Sequence, residues 1–321
     1  MSLVEKALKK LHESRLAAAN GRPAIGAPTG VTVTAARRNE TTTDGAEATR
    51  LPPTPPTPLR SDAPPIPSAR SNKVVTVNLD TLRIAGLVAV KEEERRVASE
   101  YRSIKRPLIA GALGRGSPPV QNGRVIMVAS ALPGEGKTFT SVNLALNMAL
   151  EKDTSVLLVD ADLPKPQISR VFGVGKEPGL VDALLDDGLD VESLIVATSV
   201  RGLSLLPAGR PDATSTELLA SNRMERLLAR LMSADPRRIV LFDSSPLLLT
   251  TESRALAAAV GQIVIVVRAE FTTQQAVLDA VACLPEGKSV GLVLNQSPTA
   301  PPHFYYGYGD YGGSQGEQPA D

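Results

Sequence analysis

Short apolar runs alternate with helix-like stretches over the second half of the chain. The runs predict strands because they are short and almost continuously apolar, and they lie at 124–130, 155–159, 203–206, 238–242, 262–267 and 290–294. Helical spacing separates most of them, most clearly at 181–185, 215–232, 252–260 and 273–284. Strands joined through helices indicate an α/β fold with a doubly wound, mainly parallel sheet. Ligands of such folds bind at the carboxyl ends of the strands.

The first part of the chain has a different pattern. Apolar residues recur at helical spacing near the start, so residues 1–20 are predicted to form an amphipathic helix that begins at a capping box of Ser2 and Glu5. Residues 21–75 are rich in proline and lack apolar periodicity, which predicts a disordered linker. The folded domain is expected at 76–299, starting with a charged, helix-like segment at 91–107, and residues 300–321 form a flexible tail rich in tyrosine and glycine.

The composition narrows the class of protein and its compartment. The chain has 35 Lys and Arg against 34 Asp and Glu, so it lacks the basic surplus of a general nucleic-acid binder. Cys283 is its only cysteine, so no disulfide within the chain is possible. No apolar run approaches the roughly 20 residues that a membrane span needs. We expect a cytoplasmic protein that reaches the inner membrane only through a partner or through its N-terminal helix.

One loop of the alternating region has the sequence of a phosphate-binding loop. Residues 131–138 read ALPGEGKT, between an apolar strand and a helix-like stretch. Glycines let backbone N–H groups point at an anion, and the following helix adds its positive dipole end. Lys137 can reach the outer phosphates and the Thr138 hydroxyl can bind Mg²⁺. The residues predicted to contact the nucleotide here are Pro133, Gly134, Glu135, Gly136, Lys137, Thr138 and Phe139.

Two other predicted strands end in acidic residues. Asp160 and Asp162 follow the strand at 155–159, and Asp243 follows the strand at 238–242. Carboxylates beside a phosphate loop can support Mg²⁺ directly or through its waters, and one of them can take a proton from an acceptor. The sequence therefore predicts a site for phosphoryl chemistry at this edge of the sheet.

Four of the five tyrosines of the chain lie together near its end, at Tyr305, Tyr306, Tyr308 and Tyr311. Their segment is rich in glycine and cannot bury a core of its own. A sticky low-complexity tail is one interpretation. The phosphate loop favours a second one, in which the phenols are presented to an active site.

The motifs together resemble those of the bacterial tyrosine kinases that use a phosphate-loop ATPase fold and autophosphorylate a C-terminal tyrosine cluster. The soluble autokinases of exopolysaccharide loci, including those associated with exosortase systems, are the most similar subgroup. The resemblance covers roughly residues 90–311, and its further motifs are LLVDADL at 157–163, LPAG at 206–209, ELL at 217–219, VLFDSSP at 240–246 and VVR at 266–268.

The resemblance implies an ATP-dependent protein-tyrosine autokinase that requires Mg²⁺ and phosphorylates its own tail, in trans, to regulate exopolysaccharide synthesis or export. It implies that Asp160 helps to deprotonate tyrosine and that Asp162 and Asp243 lie on the metal side with Thr138, although the roles of Asp160 and Asp162 can be exchanged. Asn295 would meet the adenine. The partners implied are further copies of the chain, in a ring, and a membrane-bound polysaccharide co-polymerase that activates it.

One departure from the family pattern concerns assembly. The family carries an acid–arginine–arginine pattern in the helix before the loop, and the matching register here places Ser99, Arg102 and Lys105 at those positions. Ring assembly is therefore open in its details.

The alternative is a switch ATPase of the partitioning or division-site type, which shares the fold. That class has an extra lysine where this chain has Leu132, and it lacks a tyrosine tail. A non-catalytic adaptor with a binding tail is a third interpretation, and the complete lysine and acidic motifs argue against it.

Overall fold

The computed structural model describes residues 74–115 and 119–297, and within these ranges the chain forms one sheet of eight strands. The strands are β1 (Val74–Val75), β2 (Val125–Ser130), β3 (Ser155–Ala161), β4 (Val196–Thr198), β5 (Leu203–Leu206), β6 (Arg238–Ser244), β7 (Gln262–Arg268) and β8 (Ser289–Asn295). Their order across the sheet is β1-β4-β5-β3-β6-β2-β7-β8. Every neighbouring pair is parallel except β4 and β5, which are antiparallel.

Ten helices of the described ranges connect or flank these strands. They are α1 (Leu79–Ile84), α2 (Glu94–Ala112), α3 (Lys137–Met148), α4 (Gln167–Val171), α5 (Leu180–Leu185), α6 (Val191–Leu194), α7 (Ser215–Leu219), α8 (Asn222–Ala234), α9 (Thr251–Ala259) and α10 (Gln274–Ala282). None of them is both long enough and apolar enough to cross a bilayer.

The central strands are buried on both faces. Side chains alternate along a strand, so in β2 Val125, Met127 and Ala129 enter one core cluster, whereas Ile126 and Val128 enter the other. Helices α2 and α3 cover the second cluster, and α5, α8 and α9 cover the first. The predicted α/β, doubly wound, mainly parallel fold is confirmed.

All six predicted strands form, each within one or two residues of its predicted bounds. The short strands β1 and β4 were not predicted, because two or three residues at the edge of a sheet carry no periodic signal. The prediction of a single helix at 215–232 is wrong. It is divided into α7 and α8, because the Ser221 hydroxyl accepts a hydrogen bond from Arg223 N and caps a new helix. Helix α2 continues past Pro107 to Ala112, beyond the predicted end.

Three predicted segments lie outside the described residues. They are the N-terminal helix at 1–20, most of the linker at 21–75, and the tyrosine tail at 300–321.

Candidate active site

The parallel pairing brings the ends of three strands to one edge of the sheet. β6 lies between β2 and β3, and Asp160 of β3 stands beside Asp243 of β6 in register. β2 ends at Ser130 and continues into the predicted phosphate loop. Strand order, which sequence spacing alone does not give, therefore places both acidic motifs next to the loop.

The loop adopts a backbone that only glycine accepts easily. Gly134 and Gly136 have φ angles of 78° and 94°, in the left-handed region. A Cβ atom on Gly136 would lie 2.0 Å from Nδ2 of Asn295, so a side chain there would have to displace this amide from the Glu135 carbonyl. Gly136 is also the N-cap of α3 and provides no side-chain hydrogen bond. The first N–H groups of this 12-residue helix are thus left for an anion.

The buried Glu135 side chain anchors the phosphate loop to the rest of the fold. It is fully buried, and its Oε2 accepts a hydrogen bond of 2.7 Å from Leu132 N. Its Oε1 accepts a hydrogen bond from the Thr272 hydroxyl, which lies in the loop after β7. Asn295, at the end of β8, donates its Nδ2 to the Glu135 carbonyl at 2.9 Å. The phosphate loop is therefore tied to the ends of β7 and β8 as well as to β2.

The sequence placed Glu135 among the residues predicted to contact the nucleotide, whereas its side chain is buried away from the cavity in this anchoring role, which was not predicted. The motif allows any residue at that position, so only the buried contact with Thr272 reveals it.

Lys137 and Asp162 form an ion pair inside a cavity of about 400 Å³. Lys137 Nζ lies 2.9 Å from Asp162 Oδ2, and the side chains are only 13% and 8% exposed. Ser245 donates its hydroxyl to Asp162 Oδ1 at 2.9 Å and so orients the carboxylate. The same cavity is lined by Pro133, Gly134, Gly136, Lys137, Thr138, Phe139 and Asp162. Most of the predicted loop residues therefore face the same space as one predicted acid.

Asp243 lies beneath this cavity and is fully buried. Its Oδ1 accepts a hydrogen bond of 2.9 Å from Ser141 in α3, and its Oδ2 has no hydrogen-bond partner among the described residues. Burial raises the pKa of this carboxyl to about 7, partly offset by the charge of Lys137 and reinforced by that of Asp160. An unpaired buried oxygen at a phosphate loop is a suitable ligand for a hard cation or its water.

Asp160 has a different environment. It is fully buried, and its Oδ2 accepts hydrogen bonds of 2.7 Å from both the N–H and the hydroxyl of Ser169 in α4. Burial raises its pKa to about 6, the bonds from Ser169 lower it, and the charge of Asp162 raises it. Its Oδ1 has no partner within the described part of the chain. Asp162 lines the cavity whereas Asp160 lies behind it, so the two acids of the motif are not equivalent.

The residues present fit a magnesium ion only together with a nucleotide. Thr138, Asp162 and Asp243 supply hard oxygen atoms around Lys137. However, the described residues contain no group of three His, Cys, Asp or Glu side chains that alone holds a metal. Phosphate oxygens and water have to complete the coordination, as is usual for Mg²⁺.

A second cavity, of about 620 Å³, adjoins the first behind Gly136. Phe139 and Asn295, both predicted to contact the nucleotide, line it together with Tyr101 of α2. The rings of Tyr101 and Phe139 are 6.4 Å apart, and burial raises the pKa of Tyr101 to about 12. This tyrosine is therefore a packing group, in contrast to the predicted acceptors Tyr305, Tyr306, Tyr308 and Tyr311, which lie outside the described residues.

The doubly wound sheet, the glycine-containing loop at a helix N-terminus and the strand-end acids define a nucleotide-binding protein of the P-loop class. Comparison with known proteins places it more narrowly. Residues 123–284 match the AAA domain family model AAA_31, and the chain belongs to that family.

Individual relatives and structures point to tyrosine kinases. The chain is 29% identical over 224 residues to the tyrosine-protein kinase YwqD of Bacillus subtilis, covering 69% of this chain and 90% of that protein. It is 31% identical over 179 residues to the succinoglycan biosynthesis transport protein ExoP of Rhizobium meliloti, covering 54% of this chain and 22% of that protein. The crystal structure of the VpsO kinase domain is 31% identical, with a TM-score of 0.53, and the match covers 64% of this chain and 98% of that one. The resemblance to the bacterial tyrosine kinases is therefore confirmed.

Proposed function

We propose that this chain is an ATP-dependent protein-tyrosine autokinase that phosphorylates its tail cluster of Tyr305, Tyr306, Tyr308 and Tyr311. The observation that carries the proposal is the convergence of Lys137, Asp162 and Asp243 on one phosphate loop, with Lys137 Nζ 2.9 Å from Asp162. The kinase names of YwqD and VpsO support the same activity.

The loop and Lys137 bind the substrate ATP through its phosphates. The backbone N–H groups around Gly134 and Gly136 and the N-terminus of α3 hold the anion. Asp162 holds Lys137 inside the cavity, so the ammonium group is positioned for the outer phosphates. Mg²⁺, when bound, supplies charge neutralisation at those phosphates. Positioning and charge neutralisation account for most of the rate in such transfers.

A tyrosine acceptor has to lose its phenolic proton. A free phenol has a pKa of about 10, so a base with a pKa near the working pH assists it. Burial raises the pKa of Asp160 to about 6, which suits a base at neutral pH. Its Oδ1 has no hydrogen-bond partner among the described residues and is therefore available to accept a proton. Asp162 lines the cavity and Asp160 lies behind it, so we assign the phenolic proton to this pair of acids, with Asp160 as the group of raised pKa, and the metal side to Thr138, Asp162 and Asp243.

The acceptors lie beyond β8 in the sequence, so they could enter their own site or that of a neighbour. We propose transfer between copies of the chain, because the family resemblance implies rings of such subunits. The proposed partners are further copies, in a ring, and a membrane-bound polysaccharide co-polymerase that activates the kinase. Of the two basic positions in α2, Arg102 is exposed, whereas Lys105 is buried and bonded to the Asn147 carbonyl and to Glu151. Assembly through this helix would therefore depend on Arg102. The name of ExoP supports a role in exopolysaccharide production.

Mass spectrometry of the full chain after incubation with Mg²⁺ and ATP tests the activity. We expect phosphate on the tail tyrosines of the wild type and none in Lys137→Met. Isotope-labelled Lys137→Met mixed with an unlabelled variant lacking the four tail tyrosines (Tyr→Phe) separates transfer between chains from transfer within one chain. An unmodified wild-type tail, with intact ATP binding and a supplied activator, would refute the proposal.

A further inference from the structure

A basic groove lies beside the candidate active site. The segment after Asp162 and the end of α4 form a groove of about 740 Å³, whose charged lining residues are Lys165, Arg170, Lys176 and Glu177. The three cationic side chains are exposed, and none of them forms an ion pair within the described ranges. With three cations and one carboxylate in its lining, the groove therefore carries a net positive charge.

The groove is continuous with the catalytic cavity. Pro164 and Lys165 line both spaces. Lys165 N donates a hydrogen bond of 2.9 Å to the Asp162 carbonyl, so the shared wall is fixed directly to the residue that pairs with Lys137. A peptide that places one side chain beside Lys137 can thus continue into the basic groove.

The tail of the chain has the complementary charge. Residues 298–321 contain Asp310, Glu317 and Asp321 and neither lysine nor arginine. Each phosphotyrosine adds about −1.5 to −2 charges. An extended peptide advances about 3.3 Å per residue, so Tyr308 and Tyr311 can lie about 10 Å apart. Because the cavity and the groove share Pro164 and Lys165, this spacing lets a phosphate on one of them enter the groove while the other occupies the cavity.

We propose that this groove, through Lys165, Arg170 and Lys176, binds the phosphorylated tyrosine tail of a second copy of the chain. A tail that has received one phosphate is held next to the active site, and its remaining tyrosines are phosphorylated faster than those of an unmodified tail. This inference rests on the proposed autokinase function, and it adds a docking site that favours multiple phosphorylation of one tail.

Peptide binding tests the groove without requiring activity. The probe is a fluorescent peptide of residues 300–321, unmodified or phosphorylated at Tyr308, titrated into full-length Lys137→Met protein by fluorescence anisotropy. Reversing two groove charges, in Arg170→Glu with Lys176→Glu, is expected to weaken binding of the phosphopeptide about tenfold. The effect on the unmodified peptide is expected to be smaller, and added salt should reduce the difference.

The matched control is Lys152→Glu with Arg201→Glu. It reverses two exposed cations that precede β3 and β5 and so lie at the amino ends of the strands, away from the groove. Neutral Arg170→Gln with Lys176→Gln, checked by thermal unfolding, guards against misfolding of the reversed variant. In the active chain, the groove variant should accumulate singly phosphorylated tails where the control produces multiply phosphorylated ones.

Several results would overturn the inference. Equal phosphopeptide affinity in the groove and control variants is one of them. Another is that the groove variant binds vesicles of anionic phospholipid more weakly than the control variant does but binds the phosphopeptide equally well, because the groove would then bind a membrane surface. If the wild-type chain never phosphorylates its tail, the proposed kinase function is refuted instead. The peptide titration then still tests whether the groove binds the phosphopeptide.

Discussion

Replacing Asp243 by asparagine is expected to stabilise the nucleotide-free protein. Burial raises the pKa of this carboxyl from 3.8 to about 7, whereas the unfolded chain keeps the ordinary value. Between these two values the folded state binds a proton that the unfolded state has released, so stability falls as the pH rises from about 4 to about 7. Above pH 7 the folded chain carries a buried, ionised carboxylate at its full free-energy cost. Asparagine has the same shape and never ionises.

The structure limits the size of this effect. At about 1.36 kcal/mol per pKa unit, the raised pKa corresponds to at most about 4 kcal/mol at pH 8. The present Oδ2 has no hydrogen-bond partner among the described residues, so the new amide has no ready-made bond there, and a buried donor left without a partner costs about 1–3 kcal/mol. We therefore expect Asp243→Asn to raise the free energy of unfolding by about 1–3 kcal/mol at pH 8, with no gain near pH 4.

Urea unfolding of the nucleotide-free chain between pH 4 and pH 8, at constant ionic strength, measures this effect. Asp182→Asn is the matched control with the opposite sign. Burial acts to raise the pKa of Asp182, but hydrogen bonds from Arg210 and Gly179 outweigh it and hold that pKa below its usual value. The control should therefore lose stability at neutral pH. An Asp243→Asn protein that is less stable than wild type at pH 8, or that shows an unchanged pH slope, would contradict the electrostatic account of the site.

Three further predictions concern the loop and the helices around it. Gly136→Ala should abolish ATP binding in equilibrium titration, because its Cβ would collide with Asn295. Gly134→Ala, with no atom within 4 Å of its Cβ, should retain weaker ATP binding. Equal losses of affinity in the two variants would count against the steric argument. Lys105→Met should lower the free energy of unfolding by about 1–3 kcal/mol, since it removes the 2.8 Å charged hydrogen bond to the half-buried Asn147 carbonyl, and an unchanged urea midpoint would disprove this. Ser221→Ala should cost about 1 kcal/mol in the same assay by removing the N-cap of α8, with Ser193→Ala as the control, because the half-buried Ser193 hydroxyl donates to the Asp190 carbonyl and does not cap a helix.

The sequence was sufficient for those parts of the site that depend on local pattern. Buried parallel strands are continuously apolar, so β2, β3 and β6 were visible, and the residues that follow them had to lie at their carboxyl ends. The loop glycines were recognisable because positive φ restricts the choice of residue at those positions.

The parts that escaped prediction depend on contacts between distant residues. The Glu135 carboxylate meets Thr272 across 137 positions, and Ser245 meets Asp162 across 83. Spacing alone does not separate Asp160 from Asp162, since both follow the same strand, and only the family resemblance implied different roles for them. Only the position of Ser169 in α4, which donates two hydrogen bonds to Asp160, distinguishes the buried acid from the one that faces Lys137.

These contacts explain why the site is costly to the folded chain and suited to its ligand. Two buried carboxyls, Asp160 and Asp243, have raised pKa values and one unpaired oxygen each among the described residues, while the single ammonium group of Lys137 is paired with Asp162. A core selected for stability alone would not keep such groups. Their unfavourable electrostatics make the site more receptive to a cation, and the loop N–H groups and Lys137 make it receptive to an anion. The arrangement is therefore complementary to a metal-bound polyphosphate, and not to either ion alone.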